Sequence, residues 1–421
     1  MRATLRRRRV TGAGAIFVLV ACVAGVVGVS ASAGSTKTTL TAKVAKASCP
    51  VKVLMVNNFT GAGSDNGQAD LAGAKVAIKQ INSAGGVLGC KIELSTIDDQ
   101  SNYTQDLPQI EKATSSTHYA MVMNGDPASV STAPFLTREK ILSIAGAGGL
   151  GFAGKAEPYD FDVIYLEARA ALVAADFGVK KKHFKKWALL VDNTQIGDGD
   201  IKAMKSELSK DGGKIVDIEQ LPLSGVNFSA AIERAKASHP DVVFTDMFGA
   251  AGAHLKNDIQ TAGWKVPQIG GFNEAATSFK GLVPLSALKN QYEVSQGALA
   301  APSTPVRAAF IKLLKANGVK INGFLFGYVN GHDPLTLFAW AANQTHSLDS
   351  QTLANYLHSH GQTKVPNLVE GPETGYTKTC GAWNAPGGMA VMKAGYYDSD
   401  GRLPVVEFTN APPLPKSIND C

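Results

Sequence analysis

The stretch VLMVNNFTGAGSDNGQADLAGAKVAIKQINSAGGVLGCKIELSTIDDQ, residues 53–100, changes its hydrophobic period twice. VKVLMVN (Val51–Asn57) is a short apolar run bounded by a Gly-rich turn, as expected of a strand. Leu71, Ala74, Ile78 and Ile81 then recur at helical spacing, and AGG (Ala84–Gly86) stops the helix. KIELSTIDD follows with polar residues at alternate positions, which suits a strand at the flank of a sheet.

The same rhythm continues outward. YAMVMN (Tyr119–Asn124) and ILSIAG (Ile141–Gly146) read as strands, and the series resumes with WALLVD (Trp187–Asp192) and GKIVDIE (Gly213–Glu219). DVVFTDM (Asp241–Met247) and VPQIGG (Val266–Gly271) complete it. Strands alternating with helices predict α/β architecture, with doubly wound parallel sheets covered on both faces. The break at Asp160–Ala168 separates two such series, hence two lobes. From about Tyr292 the chain is helix-rich and then Gly/Pro-rich, and it completes those lobes rather than adding a third. Open α/β sheets bind ligands beyond the carboxyl ends of their strands. That directs attention to the loops leaving Asn57, Asn124, Gly146, Asp192, Met247 and Gly271.

The N-terminal segment is not part of the fold. Arg2 and Arg6–Arg9 precede the weakly apolar run Ala13–Val29 and the small residues ASA (Ala31–Ala33), the pattern of a secretory signal at residues 1–33. LVAC (Leu19–Cys22) resembles a lipobox, so a lipid anchor through Cys22 is the alternative to cleavage after Ala33. Residues 34–48 are small, polar and aperiodic, as a flexible leader would be. The chain has 41 basic and 35 acidic residues, but five of the arginines lie in the signal, leaving a mature charge near +1. KKKHFKK (Lys180–Lys186) reads as a solvated loop, and nothing predicts nucleic-acid binding. Cys49, Cys90, Cys380 and Cys421 remain after cleavage. An even number in an exported chain predicts disulfides. Cys49 and Cys90 each precede a strand, and if those strands are parallel neighbours the two meet at one sheet edge. That pairs Cys49 with Cys90 and, by remainder, Cys380 with Cys421.

Chemistry-bearing motifs are few. Gly146, Gly148 and Gly151 spell G-x-G-x-x-G, but FAGKAEPYDFD follows, with Pro158 and no helical period where a dinucleotide would need a helix to start. There is no G-x-S-x-G elbow, Walker A motif or H-E-x-x-H. His358 and His360 lack further metal ligands nearby, DSDG (Asp398–Gly401) fits a turn between strands, and adjacent Asp98 and Asp99 point to opposite faces. No enzyme activity, cofactor or metal is expected.

The opening stretch, with PASVSTAPFLTREKILSIAGAG, WALLVDNTQIGDG and HPDVVFTDMFGAAG, resembles in order the strand–loop–helix units of type 1 periplasmic binding proteins. Similarity is greatest to the branched-chain amino-acid (Leu/Ile/Val) receptors of ABC transporters. The resemblance implies two lobes joined by three crossovers, placed near Ile164, Gln296 and Gly371. Lobe 1 would comprise residues 49–164 with 296–370, and lobe 2 residues 165–295 with 371–421. It implies an extracytoplasmic receptor that closes on a small solute by hinge motion and delivers it to a membrane permease, with nothing requiring more than a monomer. Ser129 matches the family's hydroxyl contact to the ligand carboxylate, although it could simply cap its helix. Ala147 and Gly149 fall in the loop whose backbone binds ligand, and Thr60 and Ser64 lie over the same cleft. From lobe 2, Ile196, Phe248 and Phe272 would face the ligand, with Gln195 and Asn273 adjacent, while Tyr165 lies near the hinge. The sequence also departs from the pattern. Ile196 stands where amino-acid binders have Tyr, and Gly149 stands where they have Thr. Their ammonium-neutralising carboxylate aligns near Phe272, with Glu274 offset by two. An ammonium buried without a countercharge is costly, so an amino acid and a less polar carboxylate or aromatic solute both remain open. A sensory module and a secreted α/β enzyme are the alternative functions.

Overall fold

The computed structural model describes residues 49–61, 63–125, 129–148, 153–302, 304–386, 388–416 and 418. Strands β1 (Val51–Asn57), β2 (Ile92–Asp98), β3 (Met121–Asn124), β4 (Ser143–Ala145) and β5 (Asp160–Asp162) form an all-parallel sheet in the order β2-β1-β3-β4-β5. Helices α1 (Ser64–Ser83), α2 (Asp106–Ser116) and α3 (Ser129–Arg138) connect its strands. Both faces of β1 are buried. Val53 and Met55 join one apolar cluster with Ala74 and Ala77 of α1, whereas Leu54 and Val56 join another with Ile110 of α2 and Leu136 of α3. This is why the run VKVLMVN is nearly continuous in apolar character.

The second sheet is built the same way. Helices α4 (Ala168–Lys180), α5 (Gln195–Asp211), α6 (Ser229–Ala237), α7 (Gly249–Thr261) and the short α8 (Phe272–Ala275) accompany β6 (Lys186–Asp192), β7 (Lys214–Leu221), β8 (Val242–Asp246), β9 (Gln268–Gly270) and β10 (Gln291–Gln296). These five strands are parallel in the order β7-β6-β8-β9-β10. Ala188, Leu190 and Val243 pack toward Ile232 of α6 and Leu255 of α7, and Trp187, Leu189 and Phe244 toward Leu172 of α4 and Met204 of α5. The sheet is extended by β11 (Ala300–Ala301), β12 (Met389–Lys393) and β13 (Leu403–Thr409), with β12 antiparallel to both β10 and β13. The turn between β12 and β13 holds Asp398–Gly401, where Gly401 adopts φ +73°.

Between β11 and β12 the chain forms α9 (Pro305–Ala316), α10 (Leu325–Thr345) and α11 (Ser350–Ser359). Phe338 of α10 and Leu353 of α11 join the cluster that contains β1 and α1. The chain therefore passes three times between its two sheets. Tyr165, in the first passage, donates its hydroxyl to the Ala385 carbonyl in the third at 2.5 Å. The cysteine expectation holds at one site. β1 and β2 run in parallel register from Val51↔Ile92, and Cys49–Cys90 is a disulfide spanning 41 residues. Closing a loop of that length contributes on the order of 4 kcal/mol in the chain-entropy account. Cys22, Cys421 and the segments 1–33 and 34–48 lie outside the described residues. Among those described, no helix is long and apolar enough to cross a membrane.

Candidate functional site

A cavity of about 110 Å³ opens at the carboxyl ends of the strands and is bordered by elements of both sheets. A roomier hollow of about 440 Å³ lies at the amino ends of β9 and β10, the wrong end of an α/β sheet for a ligand.

The first sheet supplies mostly polar groups. Asn57 ends β1 and uses its amide twice, accepting from the Asn58 N–H at 2.8 Å and donating Nδ2 to Asp70 Oδ2 at 2.8 Å. Asp70 is on the buried side of α1, while Asn330 comes from α10. Those two helices nearly touch: a Cβ on Gly331 would sit 1.7 Å from the Asp70 carbonyl, and one on Gly73 2.0 Å from that of Tyr328. The second sheet supplies an apolar wall. Ile196 comes from the first turn of α5, Leu223 follows β7, Phe248 follows β8, and Phe272 and Asn273 begin α8. Phe272 packs edge-on to Phe326 with ring centres 5.3 Å apart, and Phe326 stacks with Phe324 at 6.0 Å. Ile164 and Glu167, from the first passage between sheets, complete the lining.

Carboxyl groups dominate the electrostatics. Asp70, Glu167 and Asp192 line the cavity, and no Lys, Arg or His does so among the described residues. Asp70 is 7% exposed and Oδ1 has no partner; Glu167 is 7% exposed and Oε2 has none. Burial pushes Asp70 up to about 8, against the Asn57 hydrogen bond. Burial also raises Glu167 well above the usual range, reinforced by Asp246, Asp192 and Asp162. The Asn273 side chain faces Glu167 and pulls the other way, although its Nδ2 finds no acceptor at hydrogen-bond geometry.

Several backbone donors around the cavity are already taken. Asp162, at the end of β5, accepts from the N–H groups of Ala147 (3.2 Å), Gly148 (2.7 Å) and Ile164 (3.0 Å). Asp192, at the end of β6, accepts from Thr194 and Gly197, and Thr194 Oγ1 caps the Ile196 N–H at 3.1 Å. Asp246, at the end of β8, accepts from Asn273 (2.8 Å) and Glu274 (3.3 Å). Thr277 Oγ1 accepts from Gly249 at 3.0 Å. At these loops and helix starts, which would otherwise attract an anion, the named N–H groups already donate to the chain's own acceptors.

Of the residues singled out from sequence, Ala147, Ile196, Phe248, Phe272 and Asn273 come together around this cavity. Gly149 lies outside the described residues, as does Gly151. Thr60 is exposed and bonds Asp98 through both its N–H (3.0 Å) and its hydroxyl (2.7 Å). Ser64 begins α1 and exposed Gln195 begins α5, neither of them lining the cavity. Ser129 is fully buried at the start of α3. Tyr165 is turned to Ala385, away from the cavity. Glu274 is fully buried and pairs with the buried Lys256 Nζ at 2.6 Å, so it is behind the wall rather than in it. Sequence reasoning passed over Asp70, Glu167, Phe324, Phe326 and Asn330. Asp70 carried a signal, being a carboxylate four residues before Ala74 on the apolar stripe of α1.

A periplasmic binding protein family model matches residues 50–377. The chain is 23% identical over 314 residues to Leu/Ile/Val-binding protein homolog 3 of Brucella melitensis, covering 74% of this chain and 84% of that protein. In fold it is similar to an ABC-transporter solute-binding protein of Rhodopseudomonas palustris in complex with 3,4-dihydroxybenzoic acid. There the TM-score is 0.73 at 20% identity, over 87% of this chain and 99% of that one. It is also similar to the branched-chain amino acid transporter substrate-binding protein LivJ of Streptococcus pneumoniae, in complex with isoleucine. That match has a TM-score of 0.72 at 18% identity, over 85% of this chain and 98% of that one.

Proposed function

The chain belongs to the periplasmic binding protein family, and on that premise we propose that it is an exported receptor that captures a small organic solute between two lobes and presents it to an ABC-transporter permease. The observation that carries this reading is the cavity itself. Both sheets border it at their strands' carboxyl ends, with Asn57, Asp70 and Asn330 on one side and Ile196, Phe248 and Phe272 on the other. The solutes held by the structural neighbours, an amino acid and an aromatic acid, set the size of ligand to try.

In this reading the lobes are residues 49–164 with 296–370 and 165–295 with 371–421, and the hinge runs through the three passages. Closure brings the apolar wall onto a solute already touching the polar side. Affinity then arises because the closed form makes contacts that the open form lacks. No bond is made or broken. Residues 1–33 direct export in this account, with Cys22 as the alternative anchor point, and the receptor acts as a monomer.

A thermal-shift screen against a broad solute library, followed by small-angle scattering, tests it. A ligand at a hundred times its Kd stabilises by about 2.7 kcal/mol, so the melting temperature should rise by several degrees while the radius of gyration falls. A library that moves neither quantity would remove the receptor reading.

A further inference from the structure

The second sheet's apolar wall is held from behind by two acids. Ile196 stands in the first turn of α5, and Asp200 follows one turn later on the same face of the helix. Asp198, between them, is exposed and accepts from Gln220 Nε2 at 2.9 Å, whereas Asp200 is fully buried. There its carboxyl meets that of Asp246, at the end of β8, side chain to side chain at hydrogen-bond range. Asp246 is equally buried, and its Oδ1 accepts from the N–H groups of Asn273 and Glu274 in α8, the short helix that carries Phe272. Both Asp200 oxygens and Asp246 Oδ2 find no donor among the described residues. Gly271 seals Oδ2 in, since an added Cβ there would sit 2.4 Å from it. The pair is faced by Glu167 of the first passage, Asp192 of β6 and Glu293 of β10, and by Glu274 of α8, itself paired with Lys256 of α7.

Two carboxyl groups meet in this way only if one of them is protonated. Hydrogen bonds from two N–H groups favour the ionised form of Asp246, and Asp200 receives none, so the proton belongs to Asp200 and is donated to Asp246 Oδ2. Resting on the receptor reading above, we propose that Asp200 is a positioning residue for the wall that retains the solute: through one proton shared with Asp246 it ties α5 to α8 and so fixes Ile196 against Phe272. Neither acid needs to touch the solute. Burial pushes both carboxyls up, and the acids around them add to it, which keeps the proton in place at neutral pH. Its loss would leave two like charges in contact where the dielectric is low, and α5 would part from the end of β8. The wall is therefore firm in acid and loosens as the medium turns alkaline.

The test reads the purified chain without any solute, so its failure leaves the receptor reading standing. Asp200→Asn keeps a donor toward Asp246 that needs no added proton, and Asp200→Ala keeps none. In hydrogen-exchange mass spectrometry at pH 7, peptides covering residues 194–201 and 271–276 should exchange at least about tenfold faster in Asp200→Ala than in the wild type. Asp200→Asn should restore wild-type exchange there, and peptides of β1 and α1 should be unchanged in both. The folded pair holds a proton that the unfolded chain releases, so its contribution is complete at low pH and is lost as pH rises. The wild-type melting temperature should accordingly fall relative to that of Asp200→Asn between pH 5 and pH 9, by at least about 2 °C. At pH 7 the infrared C=O stretch of a neutral carboxyl should stand in the wild type minus Asp200→Asn difference spectrum. If the alanine variant does not fold, Asp246→Asn replaces it: its amide donates to an ionised Asp200, so it too should lose the pH-dependent fall and the neutral-carboxyl band. Parallel melting curves overturn the proposal, as does a difference spectrum without that band. So does exchange that Asp200→Asn accelerates as much as Asp200→Ala, which is what a merely space-filling role would give.

Discussion

Asp70 and Glu167 have the opposite character from most surface carboxylates, since folding makes them harder to ionise. Asp70 ordinarily titrates at 3.8 and is pushed up to about 8 by burial, with only the neutral Asn57 amide opposing. Glu167 is raised by burial and by the carboxylates facing it from β5, β6 and β8, namely Asp162, Asp192 and Asp246. A folded-state pKa above the unfolded one makes the stability contribution complete at low pH and erodes it as pH rises through the folded value. For Asp70 the window runs from about pH 4 to about pH 8, with a slope approaching about 1.4 kcal/mol per pH unit. The ligand-free melting temperature of the wild type should therefore fall relative to Asp70→Asn between pH 5 and pH 9. Parallel curves for the two proteins would contradict this account. The apolar wall was legible through the family resemblance, which singled out Ile196, Phe248 and Phe272, and each stands beyond a strand's carboxyl end. The unpartnered carboxylates were not. Glu167 lies in a short irregular passage, and whether a carboxylate finds a partner depends on residues far along the chain.

The pairing of α1 with α10 shows why a helix face is more than its apolar stripe. Gly73 and Gly331 allow the two backbones to approach within the space of a side chain, and that approach brings Asp70 and Asn330 to one cavity. Gly331→Ala would place a methyl against the Asp70 carbonyl and force the helices apart. Overpacking of this kind costs about 1–3 kcal/mol, and here it would weaken solute binding as well. Urea denaturation should show the loss, whereas Gly395→Ala, with nothing within 4 Å of its added carbon, should leave the midpoint unchanged. The order of β1–β4 and β6–β9 was readable from period, because central strands buried on both faces are apolar, whereas β5 fell in the stretch read as the break between the series, and β10 and β11 went unread. Boundaries were less so. ILSIAG suggested a strand over residues 141–146, yet only Ser143–Ala145 is β4, since pairing is set by β3 and β5 rather than by hydrophobicity. The role of α10 was also hidden, because its apolar residues run all round the helix and mark burial without saying which side meets the site.

At the scale of the molecule, three passages join the two sheets, and Tyr165 ties the first passage to the third; in the proposed receptor these passages are the hinge. Two lobes could be inferred from the interruption at Asp160–Ala168, but the division of labour between them could not. Polar side chains come mainly from the first sheet's elements and α10, while the second sheet's contribution is mainly apolar, through Ile196, Leu223, Phe248 and Phe272. In the proposed receptor this division would separate capture from retention in time: a solute meets the polar side first, and how long it stays depends on the other half folding over its body. Association and dissociation should then respond to different substitutions. In stopped-flow experiments with a bound solute, Phe272→Ala should speed dissociation about tenfold and change association by less than about threefold, in line with the usual dominance of off-rates. Measured above pH 8, where Asp70 is ionised, Asp70→Asn should instead change association and blunt its dependence on salt. A receptor built this way can lengthen or shorten its hold on a solute by changing the second half alone, without altering which solute it accepts.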